Sequence, residues 1–342
     1  MHFASTMTVM REGIMANWVL YVVTVLVWGS TWFAIEHQLG VVSPEVSIFY
    51  RYLGAAALLF VWCLVRGLNL KFDRRAHSRF ILLGLLLFCL NYIVTYHAQQ
   101  YITSALAAIA FSTMLWMNII NARIFFGVRA GSLVISGALM GVAGILILFL
   151  PQVRNVALSD ATLYGAMLAI VGALIASLGN MVSQSAQKEQ LPIVQSNAWG
   201  MLYGAALTGS IAFGQGKEFS FDWSMAYVTS LLYLIVFGSI VAFGAYLTLL
   251  GRIGAHRAGY AMVMFPVVAL ILSFLFEGLQ ITGNIVVGVA FVLLGNLFVL
   301  QRRRPLPPAA EESAVVGEGA RLPLRAAPTL SRPSGRPHHA RQ

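Results

Sequence analysis

This sequence is short of charge. Only 10% of its 342 residues are Asp, Glu, Lys or Arg, against about 25% in a soluble domain. With 59% hydrophobic residues and a mean hydropathy of +0.79, that shortage excludes a soluble globular protein. Cysteine is scarcer still, with two residues. Cys63 and Cys89 both sit inside apolar runs, so the chain builds neither a disulfide framework nor a four-ligand zinc site. No HExxH, GxSxG or GxxxxGK[ST] motif occurs, and Gly214-Gln-Gly216-Lys217 lacks the leading glycine of a phosphate loop. An enzyme is therefore not expected, and neither is a cofactor or a metal. None of the twelve acids falls at the middle of an apolar segment, so there is no buried proton-relay carboxylate. Proton exchange would have to use an interfacial acid such as Glu36 or Glu277, His97, or the substrate itself.

What the chain does contain is one apolar segment after another, each about 20 residues long, the length of a helix that crosses a bilayer core. Ten are expected, at 18–38, 44–65, 79–98, 103–126, 131–150, 161–185, 192–213, 225–250, 255–277 and 281–300. Some breaks between them are short enough to force antiparallel hairpins. The first segment is too long, and too weakly preceded by positive charge, to read as a cleaved signal peptide. Of the Lys and Arg residues in alternate loops, 14 fall on one side, among them Arg66, Arg74, Arg75 and Arg302 to Arg304, and only Arg154 and Lys217 on the other. The positive side is cytoplasmic, which puts both termini inside an inner membrane. Residues 1–17 are then a short cytoplasmic lead. The stretch 301–342, rich in Pro, Ala and Arg, is a disordered cytoplasmic tail. Its Arg302 to Arg304 run serves to pin the last helix at the anionic leaflet.

The chain also repeats itself. Gly127, Gly137 and Gly144 recur 151 residues later as Gly278, Gly288 and Gly295. Ser43-Pro44 matches Leu191-Pro192, and Gly29-Ser30 matches Gly179-Asn180, at offsets of 148 and 150. Five helices is an odd number, so the second copy, 161–300, enters the membrane from the side opposite to the first, 18–150. The fold class is an all-α polytopic membrane protein, a 5+5 inverted-topology repeat, and such repeats place a substrate site near the midplane.

The stretch Gly254-Ala-His-Arg-Ala-Gly-Tyr-Ala-Met-Val-Met-Phe-Pro266, with Phe276-Glu277-Gly278, Gly288 and Gly295-Asn296, resembles the last two helices of EamA-type transporters of the drug/metabolite transporter superfamily. Trp28-Gly29-Ser30, Ser43-Pro44 followed by Arg51, and Thr103-Ser104-Ala105 are similar to the first half of that pattern. One departure stands out: the position equivalent to Pro266 in the first copy is Leu115. The resemblance implies a ten-helix inner-membrane carrier, often an exporter of amino acids or similar small metabolites. The alternatives are a non-transporting membrane subunit or sensor, or a membrane-embedded enzyme.

Arg51 is the most unusual residue. It lies about 10 Å along its helix from Pro44, at a depth where a charge costs about 2.5–3.5 kcal/mol. Either it pairs with Glu36, Glu45 or helix carbonyls, or it binds a substrate carboxylate. The other candidate substrate contacts are the polar and aromatic residues at mid-depth: Trp28, Ser30, Asn91, Tyr92, Tyr96 and Asn118 in the first half, and Asn180, Trp199, Tyr203 and Tyr246 in the second. Each has a competing role in helix packing. Pro266 and Glu277 are candidate hinge and gate residues. Gly137-x-x-x-Gly141 and Gly200-x-x-x-Gly204 allow close helix approach, within the chain or in a homodimer. The expected partners are a small molecule and the lipid bilayer, with no nucleic acid.

Overall fold

The computed structural model describes residues 2–102, 104–148, 160–276 and 282–300. Among these residues every regular element is helical: α1 His2–Glu36, α2 Pro44–Val65, α3 Arg74–Ala98, α4 Ser104–Ser112, α5 Met114–Phe126, α6 Ser132–Leu148, α7 Asp160–Lys188, α8 Ile193–Gly214, α9 Met225–Ile253, α10 Ala255–Ala258, α11 Ala261–Phe276 and α12 Gly283–Leu300. Six apolar stretches are long enough to cross a membrane: Ala16–Glu36 within α1, α2, α3, Ile109–Phe126, α7 and α9; α6 and Gly283–Val299 are apolar but shorter. The helix of α1 begins well ahead of the span expected at 18. Arg154, Glu277 and the tail from 301 lie outside the described residues.

Local chemistry sets the helix ends. Pro44 occupies the first turn of α2, where its missing N–H costs nothing. Asp73 Oδ1 accepts from Ala76 N at 2.9 Å and caps α3. Gly127, at φ 67°, closes α5 in the left-handed conformation that suits glycine. The fourth segment is interrupted at Thr113, although it carries Leu115 where the second copy carries Pro266. The hydroxyls of Ser112 and Thr113 turn back onto the carbonyls of Ile109 and Ala110, both at 2.6 Å. In the second half Pro266 is buried within α11, which continues past it.

The two halves are interleaved. α1 packs on α9 and α11 of the second half, while its counterpart α7 packs on α3 and α5 of the first; α2 packs on α8, and α6 on α12. The repeat is visible in detail. α3 and α9 each contain a π-helical stretch, Gly84–Leu90 and Leu234–Val241, starting 150 residues apart. The duplicated glycines meet each other. A Cβ on Gly137 would lie 2.5 Å from the Gly295 carbonyl oxygen, and one on Gly144 would lie 2.7 Å from that of Gly288. α6 and α12 therefore cross antiparallel with backbones nearly touching. Tyr260 locks this crossing, its hydroxyl donating to the carbonyls of Val292 at 3.1 Å and Gly137 at 3.3 Å. The second glycine pair is also used inside the chain, Gly200 and Gly204 facing Gly84 and Phe88 of α3.

Large apolar side chains such as Leu26, Phe33, Val61, Trp62, Leu139 and Val286 face outward. On a soluble protein such a surface would aggregate; here it suits contact with hydrocarbon.

Candidate functional site

A cavity opens where α1, α3 and α5 of the first half meet α7, α9 and α11 of the second. α1 contributes Trp28, Thr31, Trp32 and Ile35, and α3 contributes Leu87, Asn91, Tyr92 and Thr95. The second half supplies Ala176, Asn180, Phe243, Tyr246, Met262 and Phe265, with Phe111 and Met114 closing the wall. The spacing of Trp28, Thr31, Trp32 and Ile35 is one helical stripe, as is that of Asn91, Tyr92 and Thr95.

Trp28 organises the aromatic part. Its ring centroid is 4.8 Å from that of Phe243, 5.0 Å from Tyr246 and 6.1 Å from Phe265. Its indole Nε1 donates to the Gly238 carbonyl at 3.0 Å, inside the π-helical stretch of α9. The polar part is a network around Asn180, whose Nδ2 donates to Tyr246 Oη at 3.0 Å and Asn118 Oδ1 at 3.3 Å. An apolar aromatic chamber with a few convergent amides and hydroxyls suits a small amphipathic ligand.

Of the residues selected from sequence, Trp28, Asn91, Tyr92, Asn180 and Tyr246 line this cavity. Asn118, fully buried, stands behind Asn180. Ser30 turns away, its hydroxyl 2.6 Å from that of Tyr233. Trp199 and Tyr203 lie elsewhere. Trp199 donates to the Leu70 carbonyl at 3.3 Å and packs on Phe60, and the Tyr203 hydroxyl is 2.9 Å from His77 Nδ1. The face of α8 that carries them looks at the loop 66–73 and the start of α3, not at the cavity. Thr31, Trp32, Phe111, Phe243 and Phe265 line the cavity as well, beyond the residues that the sequence points to. The helical stripe starting at Trp28 was the available signal for the first two, whereas the others depend on how helices are rotated.

Arg51 is 1% exposed. Its Nε donates to Ser239 Oγ at 2.9 Å, and Ser239 Oγ donates in turn to the Leu234 carbonyl at 2.9 Å. The guanidinium carbon sits 4.6 Å from the ring centre of Tyr92 and 5.3 Å from that of Tyr52, both cation–π distances. Tyr96 is fully buried beside them. The expected pairing with Glu36 or Glu45 is not what the structure contains. Glu36 is exposed, and Glu45 bonds His97. At 100° per residue, positions 45 and 51 point about 120° apart on α2.

Comparison with known proteins agrees with this architecture. The model of the EamA-like transporter family matches residues 16–150 and again 163–301. The uncharacterized transporter YoaV of Bacillus subtilis is 26% identical over 284 residues, covering 82% of this chain and 96% of the relative. The uncharacterized inner membrane transporter YedA of Escherichia coli K12 is 28% identical over 282 residues, covering 79% of this chain and 88% of the relative. A solved crystal structure superimposes with a TM-score of 0.67 at 17% identity, over 84% of this chain and 96% of the other, a likeness of fold. Two matched copies across a chain of apolar helices leave one assignment: this is a multi-pass membrane protein that belongs to the EamA-like transporter family.

Proposed function

We propose that this protein is a secondary carrier that exports a small amphipathic metabolite, such as an amino acid, across a cell inner membrane by alternating access. The observation that carries the reading is the shared cavity, whose walls come from α1, α3 and α5 of one matched copy and α7, α9 and α11 of the other. A site held between two copies changes its exposure when one rocks against the other. In this reading α6, α8, α11 and α12 complete ten spans with the six long ones, as two five-helix copies of opposite topology. The antiparallel crossing of α6 and α12, in which Gly137 meets Gly295 and Gly144 meets Gly288, supports the inversion, because a two-fold axis exchanges the two pairs. Arg75 and Arg79 at the start of α3 both reach Glu189 beyond α7, and this positive end supports cytoplasmic termini.

Trp28, Asn91, Tyr92, Asn180 and Tyr246 contact the substrate, Asn118 orients Asn180, and Pro266 acts as a hinge in α11. Untargeted comparison of metabolites in medium and cells, with and without overexpression, tests the reading. Accumulation of a small amphipathic compound in the medium, lost on Trp28→Ala, is expected. Unchanged metabolite profiles would overturn it.

A further inference from the structure

Arg51 is a buried cation with no ion-pair partner among the described residues. Nη1 and Nη2 are both sealed from solvent and have no hydrogen-bond partner. The Tyr96 hydroxyl is buried beside the guanidinium and within its reach, and the Tyr52 hydroxyl is buried close to the Tyr92 side chain; neither makes a well-formed hydrogen bond. A guanidinium can only donate, so Ser239, which takes Nε, leaves the outer fork of the group open. The Tyr52 and Tyr92 rings offer their faces to the positive charge, which offsets part of its desolvation. The acid six residues back on the same helix is held by His97. Among the described residues no carboxylate reaches these donors, which leaves them available to an acceptor on a ligand.

The open fork borders the cavity. A Cβ on Gly238 would lie 3.2 Å from Arg51 Nη2 and 3.0 Å from the Thr31 methyl, so the guanidinium tip, Thr31 and the Gly238 backbone meet at one point. Thr31 and Tyr92 line the cavity, and Gly238 holds Trp28 through its carbonyl. Arg51 does not itself line the cavity, and the Tyr92 ring covers its guanidinium, so a ligand group from the cavity reaches it only when that ring turns aside. An acceptor arriving that way would meet the Nη donors, with the aromatic walls of the cavity for the rest of the molecule. Two parallel N–H groups match a carboxylate bidentately.

We propose that Arg51, with the Tyr96 hydroxyl beside it, binds the carboxylate of an amphipathic substrate that occupies the Trp28 cavity. This deepens the transporter reading and rests on it.

The test uses full-length protein in detergent and matched acid and amide probes: phenylacetate with phenylacetamide, indole-3-acetate with indole-3-acetamide, leucine with leucinamide. At least one acid is expected to raise the melting temperature of the wild type while its amide does not. Arg51→Gln should lose that shift. Should Arg51→Gln fail to fold, Tyr96→Phe decides, because it removes only the hydroxyl beside the guanidinium and leaves the ring packing intact. It should need about tenfold more acid for the same shift, the loss of one hydrogen bond to a charged group. A purely structural arginine would leave acid binding by Tyr96→Phe unchanged. Equal shifts with acid and amide, no shift with any acid, a shift kept in both variants, or the whole effect reproduced by sodium chloride or sulfate would each overturn the proposal. Export of only neutral or cationic compounds in the metabolite comparison removes the carboxylate site and keeps transport; acid binding without any change in the medium removes transport and keeps the site.

Discussion

His97 Nε2 donates to Glu45 Oε1 at 2.7 Å, tying the last turn of α3 to the first turn of α2. The glutamate side chain is 2% exposed and the histidine 33%, and His97 Nδ1 faces Gln100 Oε1 at 3.2 Å. Both ring nitrogens thus face oxygens, an arrangement a doubly protonated imidazole satisfies. The pair occupies the acid that stood nearest to Arg51 in sequence, and it sits at the helix N-terminus, where a negative charge is favourable.

Removing His97 leaves the Glu45 carboxylate buried without its partner, and removing Glu45 leaves a half-buried imidazole without its acceptor. Glu45→Gln and His97→Ala should each lower stability by about 1–3 kcal/mol, and the double variant should lose less than the sum of the two. Melting in detergent checks this, with Glu36→Gln, an exposed acid, as the control expected to change nothing. Additive losses would show that the contact carries no energy.

The glycine crossing of α6 and α12 has no room for a methyl group. Gly144→Ala sets a Cβ 2.7 Å from a backbone oxygen that cannot rotate away, so it should cost about 1–3 kcal/mol. Gly244→Ala in α9, where the new Cβ meets nothing within 4 Å, should be neutral or stabilise by up to about 1 kcal/mol, since alanine is the better helix former. Thermal denaturation of the two variants side by side distinguishes a packing role from generic sensitivity of helical glycines.

Asn180→Leu keeps the volume of the side chain and removes its donors to Tyr246 and Asn118. Transport should fall about tenfold or more, equivalent to about 1.4 kcal/mol. Trp199→Phe, in the Phe60 and His77 cluster away from the cavity, should leave transport within about twofold. Export assays on the two variants at matched abundance test whether the cavity or the α8 cluster meets the substrate.

Reporter fusions inserted in the loop 66–73 and in the segment 215–224 should report opposite sides of the membrane, cytoplasm for the first and outside for the second. The first loop neighbours Arg74 and Arg75, while the second carries Lys217 as its one basic residue. The same answer from both would break the topology on which the inverted repeat depends.

Whatever depends on composition and spacing was legible in the chain itself. Scarce charge and long apolar runs gave the membrane. The recurrence of Gly137 and Gly144 as Gly288 and Gly295 marked the two copies, because a close backbone crossing tolerates only the smallest residue. The cost of a charge at depth singles out Arg51 from the sequence alone. Which groups surround it was decided by the tertiary structure alone. Arg51 meets Ser239, 188 residues away, and Glu45 meets His97 across 52. Such pairings depend on how each helix is rotated about its axis and at what angle it crosses its neighbours, quantities set by the whole packed bundle. For the same reason Trp199 and Tyr203, of the right chemistry and depth by sequence, belong to the cluster at the loop 66–73, while Phe243 and Phe265, indistinguishable by sequence from any lipid-facing phenylalanine, close the cavity around Trp28.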